Sequence, residues 1–111
     1  MNYVWHSIFN KKIDSSAAVK LVSILEDIEA LLNDSEDSIW SDMENVKVLS
    51  IIRNSIQSLK ASRKAKVAKL DYLFLPTGPL QEISMANGWS DEYLVLAERF
   101  DDVSGKHFSQ H

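Results

Sequence analysis

Ser15-Ser16-Ala17-Ala18-Val19-Lys20-Leu21-Val22-Ser23-Ile24-Leu25-Glu26-Asp27-Ile28-Glu29-Ala30-Leu31-Leu32 decides the fold class. Ala18, Leu21, Val22, Ile24, Leu25, Ile28, Leu31 and Leu32 recur at the three- and four-residue spacing of an amphipathic helix, which collects them on one side of the element. Asp14 or Ser15 can accept hydrogen bonds from the first-turn N–H groups, and Asn33-Asp34-Ser35 supplies a polar stop. Downstream, the spacing predicts a second helix that starts between Ser38 and Ser41, where Ser41 followed by Glu44 has the form of a capping box. Met43, Val46, Leu49, Ile51, Ile52, Ile56 and Leu59 trace its inner face over about five turns.

Beyond Leu59 come Lys60, Arg63, Lys64, Lys66 and Lys69, cations that suit the negative end of a helix dipole. Val67, Leu70, Leu73 and Phe74 keep a helical spacing, so the chain either runs on as one long helix or breaks near Ser62 into a third. Tyr72 and Phe74 read as core on that spacing. Upstream, Tyr3, Val4, Trp5, Ile8, Phe9 and Ile13 form a short helix or an edge strand. The helix is preferred because no later segment reads as a pairing strand.

Pro76, Gly78, Pro79 and Gly88 fall within thirteen residues, and nothing before Pro76 is a strong breaker. Proline pushes the residue before it out of helical backbone, so Pro76 ends the preceding element. Thr77 or Gly78 then caps a short helix with Pro79 in its first turn, where the missing N–H costs nothing. Leu80, Ile83 and Met85 read as its inner face, and Asn87-Gly88 closes it through a left-handed residue. Ser90 reads as the cap of a last helix, with Asp91 and Glu92 complementing its dipole. Its stripe is Tyr93, Leu94, Leu96, Ala97, Phe100 and Val103. The corner from Pro76 to Ser90 holds Trp89 between two helices, with Gln81 and Glu82 placed to satisfy turn backbone groups. The reading is an all-α bundle of four to five helices in one domain spanning residues 1–111, with residues 104–111 as a frayed tail.

Length and composition agree with one core. The 111 residues match a common domain size. Hydrophobic residues make up 45% and charged residues 25% of the chain, close to the averages for globular domains. The absence of cysteine removes disulfides and the thiolate ligands of most structural zinc sites. His6, His107 and His111 have no ligand-like spacing, and no nucleophile elbow, phosphate loop or metal motif occurs. The expectation is a non-enzyme with no metal and no cofactor. The opening residues lack a basic n-region and a long apolar stretch, and no run reaches the ~18 apolar residues of a span, so a cytoplasmic location is expected.

The net charge of −4 weighs against nucleic acid as the main ligand and conceals a segregation. Between Leu21 and Val46 there is no lysine or arginine, yet Glu26, Asp27, Glu29, Asp34, Glu36, Asp37, Asp42 and Glu44 lie there. Glu82, Asp91, Glu92, Glu98, Asp101 and Asp102 follow later against a single Arg99, whereas Lys60–Lys69 holds five cations and no acid. An acidic face is either a solvated helix surface or a match for a basic partner, such as a nuclease site built to hold phosphate. Trp40, between Asp37 and Asp42, suits an aromatic anchor ringed by acids and equally suits the core.

The run Leu75-Pro76-Thr77-Gly78-Pro79-Leu80-Gln81-Glu82-Ile83-Ser84-Met85-Ala86-Asn87-Gly88-Trp89, continued by Ser90-Asp91-Glu92-Tyr93-Leu94, resembles a C-terminal segment of small bacterial proteins encoded beside polymorphic toxins. These include immunity proteins of contact-dependent growth inhibition systems. The resemblance covers about a quarter of the chain, from Leu75 to Phe100. It implies an inhibitor that binds a cognate toxin domain in the cytoplasm of the producing cell and occludes its active site or an exosite. No catalytic residue is carried over with it.

The expected partner is a nuclease, an RNase by preference, bound as one monomer to one toxin. The expected contact residues are Glu29, Asp34, Glu36, Asp37, Trp40, Asp42 and Glu44 around the first inter-helix region, with Glu98, Asp101 and Asp102 on the last helix. Two other readings stand beside this one. The first is a helical adaptor or regulatory subunit that binds another helix through an apolar stripe. The second is an RNA-binding module that uses Lys60–Lys69.

Overall fold

Helix α1 (Ser15–Asn33) buries Leu21, Ile24, Leu25, Ile28 and Leu32, as the spacing requires. It is the central element of the computed structural model, which describes residues 15–61 and 67–108. The polar stop works through Ser35, whose hydroxyl donates to the Leu31 carbonyl at 2.8 Å while its N–H bonds the Leu32 carbonyl at 3.0 Å. These bonds satisfy carbonyls that the last turn leaves without partners.

Helix α2 (Asn45–Lys60) packs on α1 through Val48, Ile51, Ile52, Ile56 and Leu59. It begins later than the Ser41–Glu44 spacing predicts, and the capping box does not form. The Ser41 hydroxyl instead donates to the Met43 carbonyl at 2.8 Å and accepts the Met43 N–H at 3.2 Å. Glu44 occupies the N-cap with extended backbone and no side-chain cap bond. The orphan N–H of Asn45 goes to the carboxylate of Asp37, eight residues upstream, at 2.8 Å. With this start Val46 turns outward, 76% exposed, and Met43 is half-buried, so the inner row begins at Val48.

Helix α2 ends at the C-cap Ala61, whose φ of −90° and ψ of 9° leave helical backbone, and the predicted break near Ser62 falls on residues 62–66, outside the described residues. Helix α3 (Val67–Leu73) follows and buries Leu70 and Leu73. Phe74 is half-buried and stacks on Phe100 with ring centroids 4.0 Å apart. Tyr72 turns outward, against the core reading.

Helix α4 (Pro79–Asn87) starts as its residues dictate, with Gly78 at the N-cap and Pro79 in the first turn. A methyl group on Gly78 would lie 2.8 Å from the Leu75 carbonyl oxygen and 3.0 Å from that of Tyr72. Both obstacles are backbone, so glycine is what lets the chain fold back this tightly. Thr77 takes a positive φ of 57° and donates its N–H to the Gln81 side chain at 3.0 Å. Leu80, Ile83 and Ser84 are buried, whereas Met85 faces outward. Gly88 closes the helix in the left-handed region, at a φ of 82°. The Trp89 N–H bonds back to the Ser84 carbonyl at 3.0 Å, which makes a Schellman-type ending.

Helix α5 (Ser90–Phe108) takes Trp89 as its cap position, because the Tyr93 N–H already bonds the Trp89 carbonyl at 2.9 Å. Ser90 therefore sits inside the helix and does not cap it. Tyr93, Leu96, Phe100 and Ser104 form the buried row, while Leu94 is 60% exposed and leaves the predicted stripe. The helix also runs on to Phe108, past the point where the sequence suggests fraying.

The described residues thus form an all-α bundle of five helices with no strand. In it α1 packs on α2 and α5, and α4 joins α5 to α2 and α3. The predicted helix or strand over 3–13, the cap at Asp14, the cations Arg63, Lys64 and Lys66, and the side chains of all three histidines lie outside the described residues.

Candidate interaction surface

Residues 34–44, which join α1 to α2, carry Asp34, Glu36, Asp37, Asp42 and Glu44 and no basic residue. Inside this acidic segment the usual placement of polar and apolar side chains is inverted. Ser38 is buried, while Ile39 and Trp40 are 89% and 75% exposed. Isolated exposed apolar residues are ordinary, but two neighbouring large ones at the tip of an acidic loop form an amphipathic feature that packs into no core among the described residues.

The loop is tied down along its length. Trp89 donates its indole N–H to the Ser35 hydroxyl at 2.8 Å, across 54 residues of sequence. The Asn87 side-chain amide both donates to the Glu36 carbonyl and accepts the Glu36 N–H, each at 2.8 Å. Asp37 holds the start of α2, and the Asn45 side chain donates to the Ser35 carbonyl at 2.9 Å. At the tip the Trp40 N–H bonds the Ser38 hydroxyl at 3.1 Å. Beyond the tip Tyr72 of α3 donates its hydroxyl to the Asp42 carboxylate, and that bond is the first cause of a phenol raised above its ordinary value.

The residues singled out from the sequence separate into three sets. Asp34, Glu36, Asp37, Trp40, Asp42 and Glu44 share the loop and are all exposed. Glu29 belongs to the α1–α2 contact, where its carboxylate meets the Arg53 guanidinium at 2.7 Å and Arg53 also reaches Asn33 at 3.0 Å. Glu98, Asp101 and Asp102 lie on the exposed side of α5, about two to three turns beyond its start. Helix α3 lies between the two acidic sets, with Tyr72 bonded to Asp42 and Asp71 in the field of Asp101. Of the five clustered cations, Lys60 pairs with Glu26 at 3.0 Å and Lys69 is exposed.

Ile39 is not among the predicted contact residues, although two adjacent bulky apolar residues in a stretch without helical partners are a readable signal. Asn87 and Ser35, which fix the loop, carry no such signal. Among the described residues no cluster of histidine, aspartate and glutamate could hold a metal ion, and no helix is long and apolar enough to cross a membrane.

Charge is concentrated enough to act on stability. Burial first, and the Asp101 charge second, raise the Asp71 carboxyl above its ordinary value of 3.8, since both disfavour the ionised form. The same two causes push the Tyr93 phenol up to about 12. For Asp71 the folded chain holds the proton more tightly than the unfolded chain. Its contribution is therefore full below the unfolded value and lost as pH rises through the raised folded one. Asp71→Asn is expected to raise the melting temperature at about pH 7 and to leave it nearly unchanged at about pH 3, as scanning calorimetry at both pH values would report. Equal shifts at the two pH values would contradict this assignment.

No family model, curated protein or solved structure matches the chain.

Proposed function

We propose that this chain is a protein-binding inhibitor of the immunity type, which neutralises a cognate bacterial toxin domain with a basic active site, an RNase by preference. The observation that carries the reading is the tethered acidic loop with Ile39 and Trp40 at its tip. An aromatic anchor surrounded by like charges fits a cationic cleft that offers an apolar notch. The anchor supplies affinity, and the surrounding carboxylates steer encounter and reject acidic partners. Because the loop is already ordered, little conformational entropy is lost when it docks. The resemblance of Leu75–Phe100 to segments of toxin-associated proteins supports the same class, and the inhibitor acts by covering the active site or an exosite.

The test mixes the purified chain with the product of the gene immediately upstream, assayed as an RNase. A one-to-one complex by light scattering, with protection of RNA that weakens as salt rises, is the expected result. Absence of both complex and protection overturns the reading. A stable homo-oligomer of the free chain would favour a helical adaptor instead.

A further inference from the structure

We infer that Asn87 is a positioning residue for the recognition loop, setting the shape in which Ile39 and Trp40 are presented; this rests on the docking reading above. Asn87 is the last residue of α4, and its backbone is fixed by the left-handed Gly88 and the Schellman-type bond from Trp89 to Ser84. From this rigid point its amide oxygen accepts the Glu36 N–H at 2.8 Å, and its amide nitrogen donates to the Glu36 carbonyl at 2.8 Å and to the Ile83 carbonyl at 2.9 Å. Both amide hydrogens are in use. The pair with Glu36 closes a ring of two hydrogen bonds, as a neighbouring strand would, and joins residues 51 positions apart.

Glu36 is exposed, so water could satisfy the same backbone groups. The amide pair therefore does not rescue a buried polar group, and what it adds is geometry. Ser35, one residue earlier, is held by Trp89 of the same corner. The loop then leaves the corner in a fixed direction, and its far side is fixed by Asp37 on Asn45 and by Tyr72 on Asp42. The corner thus serves as a template for the tip three residues beyond Glu36, without itself touching the partner.

Asn87→Asp separates this role from simple charge. It keeps size and acceptor but replaces two donations by a carboxylate facing two carbonyls, while adding a negative charge beside an acidic loop. If the loop acted only as a charged patch, N87D would bind a basic partner at least as fast as the parent. The positioning role predicts the opposite, about five- to tenfold weaker binding to the partner that the upstream-gene test identifies, expressed as faster dissociation.

In the free protein, N87D and the uncharged Asn87→Ala should both speed amide hydrogen exchange from Glu36 to Asp42, while core amides of α1 and α2 keep their protection. Exchange at 36–42 that matches the parent in both variants overturns the inference, whatever the partner does. Faster exchange with undiminished binding also overturns it when Trp40→Ala weakens binding, because the tip then works without the template. If Trp40→Ala binds normally as well, the docking reading fails, and the positioning role falls with it.

Discussion

Trp40→Ala is expected to weaken the complex with the basic partner by about 2–4 kcal/mol, roughly thirty- to a thousandfold, in a calorimetric titration. The size follows from the area at stake. A tryptophan that passes from exposed to buried removes about 150–250 Å² from water, and part of that gain is spent on desolvating neighbouring carboxylates. Folding should not register the change, since the indole is 75% exposed and its backbone N–H keeps the Ser38 hydroxyl. The melting temperature should therefore match the parent, with ΔΔG within about 0.5 kcal/mol. Neutralising Asp34 or Glu36 should act differently, lowering the association rate and its salt dependence more than the dissociation rate. Parent-like affinity in Trp40→Ala would remove the tip from the interface.

The largest stability effect belongs to the core. Ile28 is completely buried in the middle of α1, the helix that packs on both α2 and α5. Ile28→Ala forfeits the transfer free energy of the lost methyl and methylene groups and leaves a cavity that two packed helices cannot easily close. A loss of about 2–5 kcal/mol is expected. Domains of this size have about 5–15 kcal/mol in total, so the variant should sit close to unfolding. Urea denaturation would show a lower midpoint with an unchanged slope. Val19→Ala, on an exposed position of the same helix, serves as the control and should cost about 0.5 kcal/mol or less. Comparable losses at Val19 and Ile28 would mean that α1 does not bury the face described.

Where local chemistry decides, the residues alone are sufficient. The stripe of α1, the Gly78–Pro79 start and the Gly88 end of α4 depend on residues within one turn of each other, and all three are found as read. The start of α2 is not legible in the same way, because its cap comes from Asp37 across a folded loop and the Ser41 hydroxyl is engaged by Met43. Tyr72 reads as core and is not, because α3 has only seven residues, too few for spacing to define a face. Leu94 reads as inward by adjacency to Tyr93, although one residue around a helix is about 100° of rotation.

Trp40 stays open between anchor and core in the sequence because a loop has no periodicity to exploit, and its exposure in the folded chain sets aside the core reading. The acidic excess is visible in composition. Which acids are spent on partners, as Glu26 is on Lys60 and Glu29 on Arg53, depends on helix packing and is invisible before the fold. The same holds for Asn87, whose partner lies 51 residues away.

The Asn87-Gly88 step also gives the molecule a way to age. In such a dipeptide the glycine nitrogen can close on the asparagine side-chain carbonyl carbon, expelling ammonia and leaving aspartate or isoaspartate once water opens the ring. Here the Gly88 N–H is engaged with the Ser84 carbonyl, and the Asn87 amide is held by Glu36 and Ile83. Ring closure must wait until the end of α4 opens, and it then destroys the donor that would let it close again. Stored protein should therefore accumulate deamidated chains in proportion to the fraction of time this joint stands open, because opening and reclosing are far faster than ring closure, which makes the chemical record at one residue a gauge of how loosely the loop is held.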